Sequence, residues 1–96
     1  MKRPVLKVKI YFPGSVLEGE FDFDAVVKLK DKYLKYLETG KGHGMIIFNE
    51  NEKKFAIINF NNVCAIEIEK TLIFMDEFSN KRWDRIIDIE AHNVKE

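Results

Sequence analysis

Residues 45–69 read Met-Ile-Ile-Phe-Asn-Glu-Asn-Glu-Lys-Lys-Phe-Ala-Ile-Ile-Asn-Phe-Asn-Asn-Val-Cys-Ala-Ile-Glu-Ile-Glu, and how they pair decides the fold. Three apolar runs are separated by Glu50-Asn51-Glu52-Lys53 and by Asn61-Asn62. Asparagine tolerates the positive φ that tight hairpin turns demand, so the pattern predicts three short antiparallel strands. Their pairing gives one face with rows Phe48–Phe55–Ile68 and Ile46–Ile57–Ile66, ending at Asn59–Cys64. The other face carries Met45–Ile58–Ala65, Ile47–Ala56–Glu67 and Phe60–Val63, with Lys54–Glu69 at its end. The first face reads as core. The second is also apolar, and a sheet apolar on both faces needs two covers. Met45, Ile58, Phe60 and Val63 are therefore candidate interface residues, left over if the helix does not reach them.

Upstream, Leu6, Val8, Ile10 and Phe12 alternate with Lys7, Lys9 and Tyr11, the period of a half-buried strand. Pro13-Gly14-Ser15 is a turn, and residues 17–23 alternate again, Leu17, Phe21 and Phe23 against Glu18, Glu20 and Asp22. Folding about the turn opposes Lys9 to Glu18 and Lys7 to Glu20, while a two-residue shift gives Lys9–Glu20 and Lys7–Asp22. A helix is expected at about 24–38, with Asp22 or Asp24 as N-cap, Val26, Leu29, Tyr33 and Leu37 on its inner stripe, and Gly40 at the left-handed C′ position.

Downstream, Thr71–Phe78 reads as a strand. A turn at Ser79-Asn80-Lys81-Arg82 pairs Phe78 with Trp83, Asp76 with Arg85, Phe74 with Ile87 and Leu72 with Ile89. The alternative is a helical segment over 76–92. The whole is one α+β domain over 1–96, a small antiparallel sheet or partly open barrel of about seven short strands in the order ββαβββββ. In element order alone this resembles small Sm-like barrels, and no residue motif carries a function across.

Composition narrows the classes of function. Sixteen basic and sixteen acidic side chains cancel, whereas nucleic-acid binding draws its affinity from a basic excess. One cysteine excludes an intramolecular disulfide. No run approaches the roughly 20 apolar residues of a spanning helix, so a cytoplasmic protein without a membrane partner is expected.

Candidate chemistry is sparse. The glycines of Thr39-Gly40-Lys41-Gly42-His43-Gly44 follow the helix, whereas a phosphate-cradling loop precedes one. Lys41, Gly42 and His43 therefore remain a candidate ligand loop only. Cys64 shares its parity with Ile66 and Ile68 and reads as a core side chain, not a nucleophile. His43, His92 and Cys64 lack ligand spacing, so no metal, cofactor or catalytic residue is expected. The carboxylate pairs Glu18/Glu20, Glu67/Glu69, Asp76/Glu77 and Asp88/Glu90 read as solvated faces, Glu67 and Glu69 with the most apolar neighbours. Tyr11 and Tyr36, off the apolar faces, join the candidate interface.

The expectation is a small non-enzymatic binding or regulatory protein, of inhibitor or accessory type. It acts through protein–protein contacts and forms a homo-oligomer. Alternatives are a nucleic-acid-binding barrel using Lys2, Arg3, Lys7, Lys9 and Lys41, and a small-molecule module with its pocket near the 40–44 loop.

Overall fold

The computed structural model describes residues 2–76, 78 and 81–88. Strand β1 (Lys2–Phe12) turns through Pro13-Gly14 into β2 (Ser15–Asp22), and Gly14 takes the left-handed φ of 79° that closes so short a link. The register is Lys9 opposite Glu18 and Lys7 opposite Glu20, not the shifted alternative. Helix α1 (Phe23–Thr39) follows and ends at Gly40, whose φ is 73° and whose N–H donates to the Tyr36 carbonyl.

Two details of the helix differ from expectation. Asp22 occupies the N-cap position but makes no side-chain capping bond. Its carboxylate instead accepts from Arg3 Nε at 2.9 and 3.2 Å, tying the start of β1 to the end of β2. The inner stripe runs through Val26, Leu29, Tyr33 and Tyr36, the 3–4–3 spacing of one helical face. Leu37 rotates off that face and is 60% exposed.

The central stretch forms β3 (Gly44–Asn49) and β4 (Lys54–Asn59) in the expected register, with Met45 opposite Ile58, Ile46 opposite Ile57, Ile47 opposite Ala56 and Phe48 opposite Phe55. In the turn the left-handed residue is Lys53 (φ 55°), not an asparagine. Asn49 braces the loop, its Oδ1 accepting from the Glu52 N–H at 3.1 Å.

The second turn is where the expected pairing breaks down. Phe60–Asn62 form a single 3₁₀ turn, and β5 (Ala65–Ile68) leaves β4 to pair with β1, Ile66 opposite Ile10 and Ile68 opposite Val8. Buried Phe60 pins the turn. The helix clamps it as well: Tyr36 Oη donates to Asn61 Oδ1, and the Tyr33 and Tyr36 rings lie 5.3 and 5.6 Å from the Phe60 ring. Cys64 falls in this crossover and is exposed, contrary to its expected place in a core strand. Its N–H donates to the Tyr11 carbonyl at 2.7 Å, delivering the chain to β1.

The expected C-terminal hairpin does not form among the described residues. β6 (Ile73–Asp76) pairs with the first half of β1, because that eleven-residue strand extends beyond β5. β7 (Arg82–Trp83) pairs with β2 in parallel, and β8 (Arg85–Asp88) takes the second edge of β3. Residues 82–83 and 85–88 are thus strand and not the alternative helix. Ile89, Glu77, Glu90, His92 and Ser79-Asn80 lie outside the described residues.

The result is an α+β fold of two mostly antiparallel sheets, not closed into a barrel. The large sheet has the order β5-β1-β2-β7 with β6 also on β1, and the small sheet has the order β4-β3-β8. One core joins them: Leu6, Val8, Ile10 and Phe21 from the large sheet, Met45, Ile47, Ile58 and Ile86 from the small one, with Val26 and Leu29 of the helix. Full burial of each large apolar side chain contributes about 1.5–3 kcal/mol.

Opposite Val8, Gly19 leaves a gap, and Trp83 lies against it. A Cβ there would stand 3.0 Å from Trp83 Nε1 and 3.2 Å from Cδ1. Gly19→Val is therefore expected to destabilise the protein by about 1–3 kcal/mol through overpacking. Urea unfolding followed by fluorescence of the single tryptophan measures it, and an unchanged midpoint would contradict this packing.

Candidate functional site

The β1–β2 register sets two apolar-facing and charge-facing sides. On the charged side, Lys9 lies between Glu67 of β5 and Glu18 of β2, and Lys7 lies opposite Glu20. Two of the carboxylate pairs apparent in the sequence thus converge on one surface, where they alternate with lysines. Lys9 Nζ is 3.7 Å from Glu18 Oε2, and such exposed pairs contribute up to about 1 kcal/mol each. A cleft of about 370 Å³ opens over this surface. Its other walls are Asn49, Glu52 and Lys54 of the small sheet's hairpin, with Lys81 and Trp83. Lys54 spans it, 2.7 Å from Glu52 and 5.6 Å from the centre of the Trp83 ring.

Tyr11 belongs to this charged side. Its hydroxyl donates to Glu67 Oε1 at 2.7 Å, which holds the phenol proton and raises its pKa above the ordinary 10.0; burial and the Glu67 charge add to the effect. Of the cations considered for nucleic acid, Arg3 pairs with Asp22 and Lys9 with Glu18.

The candidate interface from the sequence is mostly interior. Met45, Ile58, Phe60 and Val63 are 0, 3, 2 and 9% exposed, because the helix and the large sheet cover that face. Tyr36 is committed to the crossover, its ring also 6.1 Å from His43. The 40–44 loop does border a cleft, of about 470 Å³, which Lys41 and Gly42 share with Asp31, Lys32, Lys35 and Asp88. Lys32 there is bonded to Asp88, tying the helix to β8. His43 is not among the lining residues. Its carbonyl accepts from the Phe60 N–H at 2.7 Å.

The face of the small sheet expected to be core is the one turned outward. Its rows are Phe48–Phe55–Arg85 and Ile46–Ile57–Ile87. Ile46 is buried, Phe48 and Ile87 are half-buried, and Phe55 and Ile57 on β4 are 59 and 64% exposed. Arg85 lies over the Phe48 ring at 4.2 Å and reaches Glu50 at 2.7 Å, forming a polar rim on the β8 side. On the β4 side no such rim is present among the described residues. The sequence shows Phe55 and Ile57 as apolar; that they face outward follows only from which face the helix takes.

No protein-family model matches the chain, and no solved structure matches it significantly. The chain is 49% identical over 77 residues to the uncharacterized protein MJ1360 of Methanocaldococcus jannaschii, a span of 80% of this chain and 78% of that protein. It belongs to the same family as that archaeal protein. The membership brings no activity with it, so the function rests on the geometry. No helix among the described residues is long and apolar enough to cross a membrane.

The Tyr11–Glu67 bond has a pH signature. Because the folded pKa is raised, its contribution is complete below the ordinary phenol value and is lost as pH rises through the folded value. Glu67→Ala is expected to bring the Tyr11 titration down towards 10.0. Phenolate absorbance, with Tyr11→Phe assigning the transition, checks this; an unmoved titration would contradict the bond.

Proposed function

We propose that the protein is a non-enzymatic protein-binding module that assembles with copies of itself through strand β4. One observation carries this reading: Phe55 and Ile57 stand side by side on the outer face of β4, more than half exposed, beside the apolar rows of β3 and β8. Single exposed apolar residues are ordinary on protein surfaces, but a contiguous group on a sheet marks a binding surface. The other exposed apolar residues on strands are more isolated: Val16 sits opposite Tyr11, and Phe74 beside Pro4 and the Lys2–Asp76 row.

The polar clefts support contact over catalysis. Acid–base work needs carboxyls in separated environments, whereas the carboxylates of the cleft over the charged side lie on the outer surface among lysines. Among the described residues, neither histidine nor cysteine lines either cleft.

Sedimentation equilibrium at micromolar concentration is expected to show a mass above that of one chain. Ile57→Lys, at an exposed position, should leave folding within about 0.5 kcal/mol and weaken association at least about tenfold, or 1.4 kcal/mol. A wild-type protein monomeric throughout the range would overturn the reading.

A further inference from the structure

We infer that the second copy pairs with this one edge to edge along β4, antiparallel, with Ala56 on the two-fold axis. The inference rests on the self-association proposed above and specifies its geometry. Each three-stranded small sheet would become half of one continuous sheet.

Among the described residues, β4, β5, β6, β7 and β8 each have one unpaired side, and β2 is open only over Ser15–Gly19, where it carries Glu18. Exposed edges invite pairing, and proteins blunt them with charge or shortness. β7 has two residues. β5, β6 and β8 have four each, carrying Glu67, Asp76, and Arg85 with Asp88. β4 has six residues, no proline and no left-handed residue, and its one charge, Lys54, stands at its first position. That charge is already engaged by Glu52. β4 is the unblunted edge.

The direction comes from the distribution of charge. Glu52, Lys53 and Lys54 lie at one end of the strand, and neutral Asn59, Asn61 and Asn62 lie at the other. Parallel pairing would set the lysines of one copy against those of the next. Antiparallel pairing sets them against neutral residues, which suits a second copy of this chain.

The register comes from the faces. Directly opposed residues share a face, so a two-fold axis must pass through a residue position to keep outer face with outer face. With the axis at Ala56, Phe55 opposes Ile57 of the second copy, and Ile57 opposes its Phe55. Aromatic and β-branched pairs of this kind stabilise a sheet, and each Phe55 gains an apolar neighbour on the side away from Phe48. With the axis at Ile57, Phe55 would oppose Asn59 instead.

Complementary charges test the register. Phe55→Glu and Ile57→Lys are each expected to weaken self-association at least tenfold, with unchanged circular dichroism because both sites are exposed. Mixing the two variants should bring association back to within about fivefold of wild type at low salt, since Glu at 55 then opposes Lys at 57 across the axis, and high salt should remove the rescue. If the wild type associates but mixing gives no rescue, or neither variant weakens association, the β4 geometry is wrong while self-association stands. A monomeric wild type overturns both.

Discussion

Strand β3 is apolar on both faces, and the rest of the fold accommodates that constraint. Met45 and Ile47 point inward at 0% exposure, while Ile46, pointing the other way, is 4% exposed. Burying the inner side chains requires the large sheet and the helix to close over them, so the chain cannot continue as a simple meander. The 3₁₀ turn at Phe60–Asn62 carries it from one sheet to the other. Phe60 serves both needs, as a core side chain and as the anchor that Tyr33 and Tyr36 hold.

Once β5 lies on β1, the remaining arrangement follows. The lysines of β1 acquire carboxylates on both sides, which makes the charged surface over which the cleft lined by Lys54 and Trp83 opens. The unpaired start of β1 accepts β6, and the open edge of β3 accepts β8, whose Arg85 covers Phe48 and whose Asp88 holds Lys32. Among the described residues the outer face of β4 receives no equivalent cover, because helix α1 is used on the inside. The exposed Phe55 and Ile57 are thus a consequence of the topology. This is the physical basis for assigning them a partner.

Local elements were legible in the sequence wherever two independent constraints agreed. The β1–β2 hairpin combined a Pro-Gly turn with opposed charges, which fitted two registers, and the helix combined its 3.6-residue stripe with a C′ glycine. The β3–β4 register was also legible, from one turn and four matched rows. Partner choice beyond hairpins was not. A period-two pattern says which side chains share a face, and neither which face is buried nor which strand lies alongside. Since both faces of residues 45–58 are apolar, inside and outside were exchanged: Met45 and Ile58 proved to be core, and Phe55 and Ile57 surface. Asn61-Asn62 fits a hairpin turn locally, yet the burial of Phe60 and the helix tyrosines favour the crossover, an instance of tertiary packing overriding local preference. The same change moved Cys64 from an expected strand interior to an exposed link. The Gly19–Trp83 contact joins residues far apart in sequence through a parallel pairing, for which no local pattern exists.

The proposed self-pairing runs along the open edge of β4. Amide hydrogen exchange across residues 54–59, followed as a function of protein concentration, tests it most directly, because strand pairing protects backbone N–H groups that a free edge leaves to water. Protection in this strand at high concentration, lost on dilution with β1 and β3 unchanged, is expected. Exchange in 54–59 that does not depend on concentration would contradict it.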